Sequence, residues 1–236
     1  MRRILRAMDV AIVGGTGAEG QGIALRLATA GHRVLVGSRD AGRAAEAAAK
    51  VAASVGRADA AIGLPNVEAA AGADVVFLTV PFAGQAETCR AIAPSLRDGA
   101  IVCDATSPLA TAIGGKPWET LRPWHGSAAE QAAALLGGHV RVVAAFHTIA
   151  AGALASLGTP MDSDVLVCGD DAEAKAVVGG LIGEMPGLRW VDCGSLAQAR
   201  IAEQLTALLI SVNRAYKVHG AGFRITGHDA WGRPGA

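Results

Sequence analysis

The sequence predicts an α/β fold, a doubly wound and mainly parallel sheet followed by a small helical part near its carboxyl-terminal end. Three observations carry that reading. Short runs rich in valine and isoleucine alternate with alanine-rich helical stretches along most of the chain. Several of these runs are almost continuously apolar, as strands buried on both faces are. The first of them ends abruptly in glycines that open a helix.

That first strand comprises Val10 to Val13 and leads into Gly14-Gly15-Thr16-Gly17-Ala18-Glu19-Gly20, where Gly15, Gly17 and Gly20 hold the G-x-G-x-x-G spacing. Ile23 and Leu27 then recur at helical spacing up to Gly31, so the context is strand, tight turn, helix. A pyrophosphate can sit on a helix N-terminus only where unpaired N–H groups point at it and no side chain intrudes. Gly15 is expected to permit the turn, Gly17 to let the backbone close on the phosphates, and Gly20 to let helix and strand pack. In this setting the motif predicts a Rossmann-type dinucleotide site.

Arg33 to Val36 is the second strand, followed by Gly37-Ser38-Arg39. About 20 residues past the glycines is where such a fold meets the ribose of the adenosine half, and an NAD site usually places a carboxylate there. Here Ser38 and Arg39 stand instead, with Arg43 near the start of the next helix. A hydroxyl and guanidinium groups suit a 2′-phosphate, which a carboxylate would repel. Asp40 comes one or two positions late, so NADP is expected over NAD.

Ala41 to Ser54 reads as a helix, with a short strand around Ile62 and a buried strand from Asp74 to Val80, stopped by Pro81. Gln85 to Ile92 reads as a helix and Ile101 to Asp104 as a strand. The irregular segment Ala105–Gly126 carries Trp118 and Trp124 and is expected to be a functional lid, or poorly ordered, or simple packing over the sheet. A helix near Ser127–Leu136 leads to a strand at Arg141–Ala145, which runs into Phe146-His147-Thr148-Ile149. Strands at Asp164–Val167 and Leu188–Val191 flank a helix N-capped within Gly169-Asp170-Asp171. From Ala197 to about Val218 the pattern is helical, with Ile201, Leu205, Leu208, Leu209 and Val212 on one face. That apolar face needs a cover, and a second subunit is the expected one, giving at least a homodimer. The division expected is 9–195 as the NADP-binding domain, 196–225 as a helical part completing the site, and 226–236 as a flexible tail. Met1–Ala7 reads as an extension before the first strand.

Composition narrows the function. Of 236 residues, 51% are hydrophobic, and 21 basic residues balance 21 acidic ones, so no basic excess calls for nucleic acid or an anionic membrane as a partner. No apolar stretch reaches the roughly 18 residues of a membrane span, and the first residues lack a signal peptide's apolar core. Cys89, Cys103, Cys168 and Cys193 are far apart in sequence with no C-x-x-C pair, which favours a reduced, cytoplasmic protein without a metal cluster. A P-loop, a nucleophile elbow and a zinc-binding H-E-x-x-H are all absent. The only tyrosine, Tyr216, is followed directly by Lys217, so the Tyr-x-x-x-Lys pair of short-chain dehydrogenases cannot form. His147, Thr148, Thr79 and Ser107 remain as candidate active-site groups. His147 stands out because it follows a strand on the edge where the cofactor is expected.

Taken together, Gly14–Gly20, Gly37-Ser38-Arg39, Leu78-Thr79-Val80-Pro81, His147-Thr148-Ile149, Val167-Cys168-Gly169-Asp170-Asp171 and Gln204-Leu205-Thr206 resemble the NADPH-dependent coenzyme F420 oxidoreductases. Order and spacing match from Val10 to about Phe223. The resemblance implies reversible hydride transfer between NADP(H) and the deazaflavin coenzyme F420. Carried over residue by residue, it implies that Thr16, Gly17, Ala18 and Glu19 hold the pyrophosphate and that Ser38, Arg39 and Arg43 hold the 2′-phosphate. Val80, Ser107, Leu109, Ala151 and Ala221 would line the nicotinamide half, with His147 and Ile149 facing the deazaflavin. The chain departs from the family pattern at Ala150, at Gly84 and in the 105–126 segment. The alternatives are an NADPH-dependent reductase of another small acceptor, such as an imine, and a non-catalytic NADP-binding sensor.

Overall fold

The computed structural model describes residues 6–227. The chain alternates strand and helix: β1 (Asp9–Val13), α1 (Ala18–Thr29), β2 (Arg33–Ser38), α2 (Ala41–Val55), β3 (Ala61–Pro65), α3 (Asn66–Ala71), β4 (Val75–Leu78), α4 (Phe82–Ile92) and β5 (Ile101–Asp104). It continues with α5 (Ala128–Leu136), β6 (Arg141–Ala144), α6 (Ala151–Ala155), β7 (Ser163–Gly169), α7 (Ala172–Gly183), β8 (Leu188–Asp192), α8 (Ala199–Ala202) and α9 (Leu205–Tyr216).

One eight-stranded sheet runs β3-β2-β1-β4-β5-β6-β7-β8. All pairings are parallel except β6–β7, where Val143 faces Gly169 and Ala144 faces Cys168 in antiparallel register. Alternate residues of a strand point to opposite faces, and each face is covered by helices. Val10 and Ile12 of β1 join Ile23 and Leu27 of α1, Val51 of α2 and Leu181 of α7 in one core. Ala11 and Val13 join Ala69 of α3, Ile92 of α4, Leu136 of α5 and Ala199 of α8 in the other. Burial on both faces explains why the central strands read as unbroken apolar runs.

The order of strands reverses at β1, which lies between β2 and β4, so their carboxyl ends open a crevice. The loops after β1, β2, β4, β5 and β6 leave the sheet at that edge, whereas β7 and β8 run the other way.

Three expectations shift. The fourth helix begins at Phe82 rather than Gln85, because Pro81 at φ −57° sits at its N-cap and starts the turn directly. The 105–126 segment is ordered over its first half by a 3-10 turn at Ala110–Ile113 and an antiparallel bridge between Leu109 and Thr120. The single helix expected over Ala197–Val218 is split in three: a 3-10 turn at Leu196–Gln198, then α8 and α9. Between α8 and α9 the bonds tighten to i→i+3, with Thr206 N–H donating to Glu203 O at 3.3 Å and Ala207 N–H to Gln204 O at 3.1 Å. Along the face read as apolar, Leu209 is buried, while Ile201 and Leu208 are 64% and 52% exposed. The expected tail continues past Gly227, outside the described residues, as do residues 1–5 of the leading extension.

Candidate active site

The glycine turn occupies the carboxyl end of β1. Its left-handed residue is Gly14, at φ +80°. Gly15 instead is wedged into the sheet: its N–H donates to Ile12 O at 3.0 Å and Gly37 O at 2.9 Å, and a Cβ there would lie 2.7 Å from Ile12 O. At Gly20 a Cβ would fall 2.6 Å from Thr79 Oγ1 and 2.8 Å from Gly15 Cα, so this glycine lets α1 approach the strand as expected. Gly17 differs, because a Cβ there would meet only Gly14 O, at 3.6 Å. The protein leaves space in front of Gly17, and no side chain caps α1. Exposed N–H groups at an uncapped helix start with room before them suit a pyrophosphate. Asn66 fixes the turn from beneath, accepting from Gly14 N–H at 3.2 Å, a role invisible in the local sequence. Thr16, Gly17 and Ala18 lie on the open side of the turn, and Val80 lies against Gly14.

Glu19 is half-buried in the first turn of α1. Burial and then the neighbouring Asp104 push its carboxyl up to about 8, so at neutral pH it carries a proton and does not repel an anion at the turn.

At the end of β2, Ser38 is buried and its Oγ accepts from Asp40 N–H at 3.2 Å. Asp40 caps α2, its Oδ1 accepting from Arg43 N–H at 2.9 Å. The only nearby carboxylate is thus committed to the helix, while Arg39 and Arg43 stay exposed. This combination fits a 2′-phosphate and disfavours a free 2′-hydroxyl.

The loop after β5 carries Ser107 and Leu109, both half-buried. Ser107 Oγ lies 2.7 Å from Thr206 Oγ1, and Thr206 Oγ1 donates to His147 O at 2.7 Å. Because a hydroxyl has one proton and the His147 carbonyl can only accept, Thr206 must accept from Ser107. The Ser107 hydroxyl therefore turns its lone pairs, not its proton, toward the crevice. Thr206 comes from α9, about a hundred residues from Ser107 in sequence, and only the bend between α8 and α9 aims it there.

His147 follows β6 by a tight turn in which Phe146 adopts φ +73° and Ile149 N–H donates to Phe146 O at 3.0 Å. A left-handed phenylalanine is strained, and strain of this kind collects at functional sites. The Phe146 ring is held edge-on against Phe77 at 5.8 Å between centroids. His147 itself is buried, its Nε2 has no hydrogen-bond partner in the protein, and burial lowers its pKa to about 4. It is a neutral imidazole with an orphaned ring nitrogen, which fits a site completed by a ligand.

From Ile149, two residues on, begins the lining of a cavity of about 370 Å³, which also includes Ala150, Ala153, Met161, Gly220 and Ala221. Ala151 opens α6 beside it. Two residues missed by sequence reasoning build its walls. Gly22 lets α6 close on α1, since a Cβ there would lie 2.5 Å from Leu154 Cβ. Arg26, 2% exposed, donates to the carbonyls of Leu154 and Ala153 at 2.8 Å and of Ser156 at 2.6 Å, which pins the end of α6. The far wall returns along β7: Asp164 N–H donates to Phe223 O at 2.7 Å. Burial works to raise the Asp164 carboxyl, yet hydrogen bonds from Arg189, the Ile225 N–H and Arg224 hold it below the usual range.

Behind the crevice, a buried polar network was also missed. Asp104 accepts from Thr106 N–H at 2.9 Å and Gln85 Nε2 at 2.6 Å, and burial raises it to about 6 against those bonds. Glu203 accepts from the N–H groups of Ala128 and Ala129 at 2.8 and 3.0 Å, capping α5 from the α8–α9 bend. Burial pushes Glu203 up to about 8 although both N–H bonds oppose this. The sequence signal was a glutamate interrupting the apolar phase of a helical run.

No helix among the described residues is long and apolar enough to cross a membrane. Fold and site define a dinucleotide-dependent oxidoreductase of Rossmann type, with an open glycine turn suited to an anion, a ribose end suited to a 2′-phosphate and a buried histidine with an unpartnered ring nitrogen. The family model described as NADP oxidoreductase, coenzyme F420-dependent, matches residues 9–108. Over 221 residues the chain is 45% identical to the F420-dependent NADP reductase of Methanothermobacter thermautotrophicus, covering 93% of this chain and 95% of that one. It is 43% identical over 222 residues to the F420-dependent NADP reductase of Methanocaldococcus jannaschii, covering 93% and 98%. The chain belongs to the coenzyme F420-dependent NADP oxidoreductase family. A crystal structure of a candidate F420-dependent NADP-reductase from Arthrobacter sp. FB24 superposes with a TM-score of 0.79 at 29% identity, covering 93% of this chain and all of that one. A reductive aminase from Aspergillus terreus, at 17% identity and a TM-score of 0.59, shares the fold alone.

Proposed function

We propose that this protein transfers a hydride reversibly between NADP(H) and the deazaflavin coenzyme F420. The observation that carries the reading is the pairing of two ends of one crevice. At one end Asp40 is turned into α2, which leaves the exposed Arg39 and Arg43 beside Ser38 free to meet a 2′-phosphate. At the other, His147 Nε2 is buried and unpartnered, two residues before Ile149, which with Ala221 walls a cavity.

Thr16, Gly17, Ala18 and Glu19 bind the pyrophosphate, with Gly15 and Gly20 shaping the turn. Val80, Ser107, Leu109, Ala151 and Ala221 receive the nicotinamide half, and Ser107, presenting lone pairs, accepts a carboxamide N–H. His147 and Ile149 take the deazaflavin side. When bound, the two cofactors supply the hydride-donating and hydride-accepting carbons themselves, so little proton transfer is asked of the protein. Its own residues orient the rings and exclude water. His147 Nε2 offers a hydrogen bond where charge develops on the acceptor. Residues 9–195 form the NADP-binding domain and 196–225 complete the site through Thr206 and Ala221. The exposed Ile201 and Leu208 support a homodimer, and four cysteines that remain thiols support a cytoplasmic setting.

The test mixes purified protein, oxidised F420 and NADPH and follows deazaflavin absorbance, with NADH in parallel. Rapid bleaching with NADPH and little with NADH is expected. His147→Ala is expected to slow F420 turnover while leaving NADPH affinity within a few-fold. NADPH binding without bleaching would overturn the F420 half, and equal rates with NADH would overturn the role of Ser38 and Arg39.

A further inference from the structure

Cys168 and Cys193 are 25 positions apart in sequence and neighbours in space. In the parallel β7–β8 pair Val167 sits opposite Asp192, so the next level of the ladder sets Cys168 beside Cys193. Two backbone bonds bracket this level: Cys193 N–H donates to Val167 O at 2.8 Å and Gly169 N–H to Gly194 O at 3.0 Å. Adjacent strands lie about 4.8 Å apart, within the Cα separation that a disulfide spans. Side chains at one level of a parallel pair point to the same face, and Cys193 packs against the apolar cluster that contains Cys168, its Sγ donating to Val191 O at 3.6 Å.

The two sulfurs differ in surroundings. Cys168 is fully buried between β6 and β8, whereas Cys193 is half-buried at the point where the chain leaves the sheet. Lys175 Nζ stands at this exit, donating to Asp192 Oδ1 at 2.7 Å and Gly194 O at 3.2 Å. Hydrogen bonding from Cys168 is the largest influence favouring the Cys193 thiolate, with smaller help from the Val167 backbone and Lys175 against burial and Asp192. Cys89 and Cys103, like Cys168, lie at zero exposure, so Cys193 is the one partly exposed thiol.

We propose that Cys193 and Cys168 form a peroxide-sensitive dithiol: Cys193 is the site attacked by a hydroperoxide, and Cys168 resolves the product to an intramolecular disulfide. In the first step the Cys193 thiolate displaces hydroxide from the peroxide O–O bond, giving a sulfenic acid; the thiol's proton and the hydroxide make one water. In the second, the Cys168 sulfur attacks the sulfenic sulfur, the S–O bond breaks, and the departing hydroxide takes the Cys168 proton as a second water. Two thiols lose two electrons and one peroxide gains them. The cross-link would tie the β7 edge to residues 193–196, the start of the path that carries Glu203 and Thr206 into the site.

The experiment treats the pre-reduced full-length protein with stoichiometric hydrogen peroxide, counts thiols after denaturation and maps peptides by mass. The count is expected to fall from four to two, with one Cys168–Cys193 peptide lighter by two hydrogens and restored by dithiothreitol. Cys193→Ser is expected to keep all three remaining thiols. Cys168→Ser is expected to trap a dimedone-reactive sulfenic acid on Cys193, in a protein whose thermal melting matches the wild type. Four thiols surviving, a link through Cys89 or Cys103, a link between two chains, or over-oxidation of Cys193 with Cys168 intact would each overturn the proposal.

Discussion

The neutral, buried His147 makes a signed prediction about pH. A histidine in the unfolded chain titrates near 6.5, and burial brings His147 down to about 4 in the folded protein. Between those values the unfolded chain binds a proton that the native state refuses, so stability from this residue is complete above the upper value and is lost as pH falls toward the lower one. Each unit of separation is worth about 1.4 kcal/mol, which makes the loss between about pH 7 and about pH 5 close to 2 kcal/mol. Glu19, Asp104 and Glu203 are shifted upward, to about 8, 6 and 8, and act in the opposite sense over the same range. The raw pH profile therefore sums opposing contributions. The informative quantity is the difference between wild type and His147→Gln, whose side chain does not titrate. Urea unfolding of the ligand-free proteins at both pH values should show the wild type losing about 2 kcal/mol more than the variant on acidification. Parallel losses in the two proteins would show that His147 is not held neutral by burial.

Two further predictions concern groups that act through hydrogen bonds. Thr206→Val removes the donor to His147 O and the acceptor for Ser107, and about 1 kcal/mol for each bond projects to a roughly thirtyfold rise in KM for NADP(H). Thr206→Ser should restore the wild-type value, and steady-state kinetics showing Val and Ser alike would exclude the hydroxyl relay. Glu203→Ala strands the buried N–H groups of Ala128 and Ala129 and should cost about 3 kcal/mol of unfolding free energy, with Glu203→Gln losing about 1. Equal urea midpoints for the alanine variant and the wild type would show that the carboxyl does not cap α5.

Much of the NADP side was legible in sequence because its chemistry is local. A pyrophosphate turn needs glycines at fixed offsets within one strand-turn-helix unit, and the ribose end is set by residues adjoining the next strand. Even there, spacing alone does not say that Gly14 carries the left-handed φ. The other side was less legible. His147 could be picked out by its place after a strand, but its neutrality depends on what buries it, and the strained Phe146 beside it looks like an ordinary aromatic in sequence. Arg26 in the inward phase of α1 and Glu203 in an apolar helical run were the visible anomalies that marked buried polar anchors.

The sequence by itself determined the class of fold, the anion-binding turn and the choice of an arginine-flanked serine over a carboxylate at the ribose end, because periodicity and turn chemistry act within a few residues. Only the tertiary structure decided which way Ser107 points its proton, that Glu203 reaches the start of α5, and that Cys168 and Cys193 are neighbours. Each of these joins residues from about 25 to 100 positions apart, and such contacts are set by strand order and by which groups burial leaves without water.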